Sequence, residues 1–136
     1  MRRVFLDTSY LIALEAVDDQ HHGAASAHWQ HLSKSLPLLV TTSYVLDEVV
    51  TFFNSRDRHA KAVEIGNLLL ESSSVQLIHV DEVLFHEAWR YFTRHSDKSY
   101  SLTDCASFIV MRRLRIRGAL TFDRHFGQAG FEQQPG

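Results

Sequence analysis

The chain has 136 residues, of which 45% are apolar and 22% charged, and its formal net charge is −2. This composition predicts one globular domain over residues 1–136 and excludes disordered or collagen-like chains. Cys105 has no second cysteine with which to form an internal disulfide. No apolar run reaches the roughly 20 residues of a membrane span, and the run at residues 4–6 is too short for a signal peptide. We therefore expect a cytoplasmic protein with no membrane partner.

In the first half of the chain, short apolar strands alternate with helices. Apolar runs predict strands at residues 4–6 and 38–40. Helical spacing of apolar residues predicts helices at residues 10–17, 22–35, 44–53 and 58–70. Thr42 or Ser43 is expected to cap the third of these helices and Asp57 the fourth.

The second half continues the alternation. A strand is predicted at residues 75–80, and Asp81 caps a helix at 82–93, whose aromatic residues Trp89 and Phe92 are expected in the core. Ser101 and Asp104 resemble a capping box that opens a helix ending before Gly118. Residues 119–121 form a further strand, and Phe131 begins a short fifth one. Strands joined by helices predict a three-layer α/β/α fold with a short parallel sheet of four to five strands.

Four carboxylates are expected at one edge of this sheet. Asp7 and Asp123 follow strands, Asp104 lies in the first turn of its helix, and Glu48 lies about one turn into the helix after the second strand. Ligands of parallel sheets bind outside the carboxyl ends of the strands. Gathered acids repel one another, and Mg²⁺ or Mn²⁺ relieves that repulsion because hard oxygen ligands suit these ions. None of these four positions carries Cys or His, which argues against a closed zinc site.

Each acid also has a structural explanation. Asp7 and Asp123 are common helix caps, and Asp104 could serve only the capping box. Asp47 competes with Glu48, because neighbouring helical residues point about 100° apart and at most one can face the site. Glu48 is favoured because it shares its side of the helix with the apolar residues at positions 45 and 52.

Four ordered segments resemble the PIN domain family, and within it the VapC-like ribonucleases of toxin–antitoxin pairs. They are residues 5–9 (FLDTS), 42–49 (TSYVLDEV), 101–106 (SLTDCA) and 120–126 (LTFDRHF). The resemblance covers essentially the whole chain. It implies an endoribonuclease, dependent on Mg²⁺ or Mn²⁺, that hydrolyses RNA phosphodiester bonds with metal-activated water and leaves a 5′-phosphate. The catalytic and metal-binding acids carry over onto Asp7, Glu48, Asp104 and Asp123.

The resemblance implies further roles and partners. The hydroxyls of Thr8, Ser9 and Thr121 match positions that support the acidic residues. The family resemblance also implies a homodimer and a small antitoxin chain over the site. An apolar strip left exposed by the helices around Phe53 and Leu70 would be a pairing surface.

Basic side chains and histidines leave alternatives open. Arg124 and His125 lie beside Asp123 and are weaker candidates for contacts to the substrate phosphate. A zinc site is a minor alternative for four histidines, at positions 21, 22, 28 and 31. A second group comprises four arginines, at positions 112, 113, 115 and 117. This group complements a helix terminus or forms an RNA-binding patch.

Other functions are compatible with parts of the pattern. A receiver domain would require a lysine after a late strand, and a haloacid-dehalogenase phosphatase would require Asp at position 9, which is Ser. A non-catalytic binding module of the same fold and an RNA-processing nuclease without an antitoxin remain the alternatives.

Overall fold

The structure is a computed structural model that describes residues 2–136, in which five strands alternate with seven helices. The strands are β1 (Arg3–Leu6), β2 (Leu38–Thr42), β3 (Val75–Ile78), β4 (Gly118–Leu120) and β5 (Glu132–Gln134). The helices are α1 (Thr8–Glu15), α2 (His22–Leu32), α3 (Ser43–Asn54), α4 (His59–Glu71), α5 (Glu82–Arg94), α6 (Leu102–Arg113) and α7 (His125–Gln128), and a 3₁₀ turn, Ser33–Ser35, follows α2.

The strands form one parallel sheet in the order β3-β2-β1-β4-β5, flanked by helices, so the predicted α/β/α fold is confirmed. On one side, β1 pairs with β2, and Phe5 aligns with Val40. On the other side it pairs with β4, and Phe5 aligns with Ala119. The chain therefore adds β2 and β3 on one side of β1, and β4 and β5 on the other. This reversal opens a crevice between the carboxyl ends of β1 and β4, where ligands of open α/β sheets bind.

The core is centred on β1. Val4, Phe5 and Leu6 are at most 3% exposed although they follow one another directly. A central strand covered on both faces has no solvent side, which explains a continuous apolar run instead of alternation. Each such side chain contributes about 1.5–3 kcal/mol by leaving water. The strand that carries Asp7 is therefore firmly held.

The predicted caps are mostly confirmed. The hydroxyl of Thr42 accepts from the backbone N–H of Val45 at 3.2 Å, and Asp81 accepts from that of Leu84 at 2.8 Å. Both bonds of the Ser101–Asp104 capping box are present. Asp57 does not cap α4. It has a φ of 58° in the turn after α3, and the N-cap residue of α4 is Arg58.

Several predictions of local structure were wrong. Helix α1 begins at Thr8 and ends at Glu15, so Val17, expected on its apolar side, lies beyond the helix and is 79% exposed. Strand β3 ends at Ile78, two residues early. Trp89 and Phe92, expected in the core, are exposed on α5 and stack with ring centroids 5.6 Å apart. Among the described residues, no helix is both long and apolar enough to cross a membrane.

Candidate active site

Asp7 lies at the carboxyl end of β1 and is 4% exposed. It occupies the N-cap position of α1, yet its side chain makes no capping bond. Its Oδ2 instead accepts hydrogen bonds from the hydroxyls of Ser9 at 2.9 Å and Thr121 at 2.8 Å. Capping therefore does not explain this aspartate, and its carboxylate is held toward β4.

A small hydroxyl network joins β1 to the segment after β4. The oxygens of Ser9 and Thr121 lie 3.1 Å apart. Ser9 also accepts from the backbone N–H of Phe122, and Thr121 from that of Asp123, both at 2.9 Å. Because these hydroxyls use their protons on Asp7 and their lone pairs on the backbone, they fix Asp7 and Asp123 relative to each other.

Burial raises the pKa of Asp7 to about 6. The hydrogen bonds from Thr121 and Ser9 oppose this rise, and the nearby carboxylate of Asp104 adds to it. The same cause, burial, raises the pKa of Asp104, with the charge of Asp123 contributing in the same direction. The neighbouring carboxylates thus disfavour the ionisation of Asp7 and of Asp104, as expected of a site that binds a cation.

Asp104 serves two purposes at the start of α6. Its Oδ2 accepts from the backbone N–H of Ser101 at 3.1 Å, as in a capping box. The same oxygen lies 2.9 Å from Nδ1 of His125. Its side chain is only 8% exposed, more enclosed than a cap on a free surface requires. The predicted capping role and the predicted site role are therefore compatible in one side chain.

His125 lies between two carboxylates, a position that the sequence reasoning did not foresee. Its Nδ1 is 2.9 Å from Oδ2 of Asp104 and 3.2 Å from Oδ1 of Asp123. An ionised carboxylate only accepts, so Nδ1 carries a proton and donates it to Asp104, while Oδ1 of Asp123 accepts from the backbone N–H of His125 at 2.9 Å. Nε2 lies 3.2 Å from the hydroxyl of Ser99, and Tyr100 packs its ring edge-on at 5.4 Å.

The short helix α7 explains why this histidine was undervalued. It turns the chain directly after Asp123, and its four residues were not predicted as a helix. The sequence feature that could have indicated the role of His125 is its position two residues after Asp123. Arg124, its neighbour and fellow candidate, is exposed.

Glu48 reaches the same edge through a different contact. Its Oε1 accepts from the hydroxyl of Thr8 at 2.8 Å, and the side chain is half-buried. Asp47 is exposed, and its closest polar partner is Thr51 at 3.5 Å on its own helix. Of the two neighbouring acids on α3, the structure thus brings Glu48 toward the site.

The histidines near α2 do not form a metal site among residues 2–136. His22 bonds through Nδ1 to the carbonyl of Ala13 and His28 to the hydroxyl of Tyr10, both at 2.8 Å. Burial lowers the pKa of His28. His21 stacks on Phe122 with centroids 4.4 Å apart. These contacts are structural and give the zinc alternative no support.

The donor set suits a divalent cation. Ligand atoms of Asp104, Asp123 and His125 all lie within 4.8 Å of one another. In the hydrogen bonds above, the three aspartates use one oxygen each, namely Oδ2 of Asp7, Oδ2 of Asp104 and Oδ1 of Asp123. The second oxygen of each remains for another ligand. Carboxylate oxygens are preferred by Mg²⁺ and Mn²⁺, and the nearby imidazole is compatible with Mn²⁺.

Comparisons with known proteins agree with this architecture. The model of the PIN domain family matches residues 4–132. The 23S rRNA-specific endonuclease VapC20 of Mycobacterium tuberculosis is 38% identical over 128 residues, covering 94% of this chain and 95% of the relative. The crystal structure of that protein, described as a sarcin–ricin loop cleaving toxin, superposes with a TM-score of 0.85 at 37% identity, again over 94% and 95% of the two chains.

A more distant structure shares the fold. The crystal structure of FitAcB from Neisseria gonorrhoeae gives a TM-score of 0.64 at 14% identity, over 96% of this chain and 95% of the other. At this identity the likeness concerns the fold alone.

Proposed function

Because the chain belongs to the PIN domain family, we propose that it is a metal-dependent endoribonuclease and the toxin of a toxin–antitoxin pair. The observation that carries this proposal is the convergence of Asp7, Asp104 and Asp123 at the switch point of the sheet, each with an oxygen left for a ligand. The endonuclease activity of the relative supports it. Residues 1–136 would form a single nuclease domain.

Each acid has a distinct task in this proposal. Asp7 and Asp104 are the principal ligands of a Mg²⁺ or Mn²⁺ ion, and Asp123 and Glu48 complete the site. When bound, the ion neutralises the phosphate and lowers the pKa of water. Water adds to phosphorus and the P–O3′ bond breaks, which leaves a 5′-phosphate and a 3′-hydroxyl. The carboxylates fix the position where the scissile phosphate must lie.

The remaining residues orient the acids and the substrate. Thr8 holds Glu48, while Ser9 and Thr121 hold Asp7. His125 acts as a positioning residue, because its Nδ1 bonds to Asp104 and its backbone N–H donates to Asp123. Arg124 is exposed beside Asp123 and is the cation available to contact a substrate phosphate.

Partners follow from the same proposal. The substrate is RNA, and a 23S rRNA loop of the kind that the relative cleaves is the first candidate. A small antitoxin chain would cover the acidic edge. For the homodimer, the expected pairing surface on the helices around Phe53 and Leu70 would consist of the exposed apolar residues of α4, namely Val63, Leu68 and Leu70, because Phe53 is fully buried. A cytoplasmic location remains a prediction.

The decisive experiment measures cleavage of a structured RNA by the purified chain with Mg²⁺, Mn²⁺ or EDTA. Asp104→Asn is expected to abolish cleavage. Glu48→Gln and Asp47→Asn form a matched pair, because they remove the same charge from adjacent residues of α3. We expect Glu48→Gln to lower the rate at least ten-fold and Asp47→Asn to leave it unchanged.

Three outcomes would overturn parts of this proposal. Cleavage that persists in EDTA would contradict the role of the metal. The absence of both cleavage and metal-dependent thermal stabilisation would instead favour a non-catalytic binding module. Cleavage without any antitoxin gene adjacent to this one would favour an RNA-processing nuclease.

A further inference from the structure

The four arginines at positions 112, 113, 115 and 117, at the end of α6 and beyond it, do not act as one unit. Arg112 donates to the hydroxyl of Tyr91 at 3.3 Å and lies over its ring at 5.0 Å. Arg113 pairs with Glu87 at 2.8 Å. Both are thus engaged with α5, whereas Arg115 and Arg117 continue past the helix toward the start of β4.

Two arginines from the other end of the sequence join them. Arg2 and Arg3 precede and begin β1, whose parallel register aligns Phe5 with Ala119. Extending that register by two residues places Arg3 opposite Arg117. The four exposed side chains, Arg2, Arg3, Arg115 and Arg117, line a groove of about 470 Å³, which we call the arginine groove.

These cations are not neutralised by the protein. Within residues 2–136, none of the four forms an ion pair with a carboxylate, although Glu132 also lines the groove. Nη2 of Arg3 donates a hydrogen bond of 2.7 Å to the backbone carbonyl of Leu114. Like charges on facing strand positions destabilise a sheet, so this concentration of arginines in a chain of net charge −2 calls for an external anion.

We propose that the arginine groove binds backbone phosphates of the RNA substrate at a distance from the scissile bond. The inference rests on the proposed ribonuclease function and adds a second contact surface to it. The groove lies at the amino ends of β1 and β4, whereas the acids lie at their carboxyl ends. Arg3 and Asp7 are four residues apart, about 13 Å along an extended strand. Only an RNA longer than the cleaved linkage contacts both.

The composition of the groove favours phosphate over an acidic protein segment. The guanidinium fork matches two phosphate oxygens at once. More than half of the surface area that is buried in a protein–protein interface is apolar. The aliphatic side chain in this lining is Ile116, which is 3% exposed, so the groove offers no apolar anchor. Phosphate binding requires none, because it is driven by charge and counterion release.

The test measures binding of a fluorescent 30-nucleotide RNA hairpin with single-stranded flanks by anisotropy in EDTA, at 50–200 mM salt. The double variant Arg2→Gln, Arg117→Gln avoids Arg3, which bonds to Leu114, and Arg115, whose φ is 57°. We expect about ten-fold weaker binding and a salt slope smaller by about 1.4, from two lost phosphate contacts to single strands. The corresponding lysine variant should restore the slope.

The matched control is Arg90→Gln, Arg94→Gln, which removes the same charge from exposed positions on α5. It should leave the slope unchanged. Equal effects of the two glutamine variants, or a groove variant that binds a polyglutamate peptide less well but RNA equally well, would overturn the inference. If the groove variant binds RNA weakly as expected but the wild-type chain cleaves no RNA in Mg²⁺ or Mn²⁺, the groove is an RNA-binding surface and the proposed ribonuclease function fails.

Discussion

Asp7→Asn is expected to stabilise the metal-free protein at neutral pH, although it alters a residue at the centre of the site. In the native state the pKa of Asp7 is about 6, against 3.8 in the absence of the fold. Between these values the native state holds more protons than the unfolded chain, so the free energy of unfolding falls as pH rises. A difference of about 2 pKa units corresponds to about 3 kcal/mol at 1.36 kcal/mol per unit.

Asparagine keeps the favourable contacts and removes the charge. Its carbonyl oxygen can accept the hydroxyl protons of Ser9 and Thr121 that Oδ2 accepts now. Its neutral side chain would no longer repel the carboxylate of Asp104. The variant should therefore exceed the wild type in stability by up to about 3 kcal/mol at pH 7 in EDTA, and the two should converge near pH 4.

Urea unfolding in EDTA at several pH values between 4 and 8 measures this difference. Asp18→Asn is the control, because it makes the same substitution at an exposed position that the burial argument does not concern. Addition of Mn²⁺ should reverse the order, since the wild type binds the ion with Asp7 ionised. A variant less stable than the wild type at pH 7 in EDTA, or a gap that does not change with pH, would refute the argument from burial.

Three further predictions concern other parts of the chain. Thr121→Val removes the hydroxyl of a residue that is 1% exposed and leaves the N–H of Asp123 without its acceptor, so the free energy of unfolding in urea should fall by about 1–3 kcal/mol. An unchanged midpoint would contradict the hydrogen-bond network. Burial raises the pKa of Cys105 to about 11, so iodoacetamide at pH 8 should label it only after urea unfolding; rapid labelling of the native protein would show that the packing of α6 is wrong. Leu70→Glu should convert the proposed dimer to a monomer in light scattering, whereas Val17→Glu, at another exposed apolar position, should not. A dimer that survives Leu70→Glu would remove α4 from the interface.

The sequence predicted the placement of the acids because strand ends are visible in the chain. Asp7 and Asp123 each follow a short apolar run, and Asp104 follows Ser101 at capping-box spacing. In a parallel sheet these three positions meet at one edge whatever the details of the core. Glu48 required a choice between neighbours, and its apolar companions on the helix indicated the side of α3 that contacts Thr8.

The remaining features depend on contacts that no local pattern records. The direction of His125 is set by the four-residue helix α7, which is too short to show a helical period. Trp89 and Phe92 were assigned to the core by type, but α5 turns them toward solvent. The arginine groove combines residues more than one hundred positions apart, which only the pairing of β1 with β4 brings together.

The pairing of β1 with β4 also sets the order of events during synthesis. Asp7 is translated more than one hundred residues before Thr121, whose hydroxyl orients it, and before the neighbouring Asp123. A chain interrupted before β4 therefore carries the first carboxylate without the hydroxyl that orients it. We expect such a fragment to lack the cleavage that we propose for the folded domain.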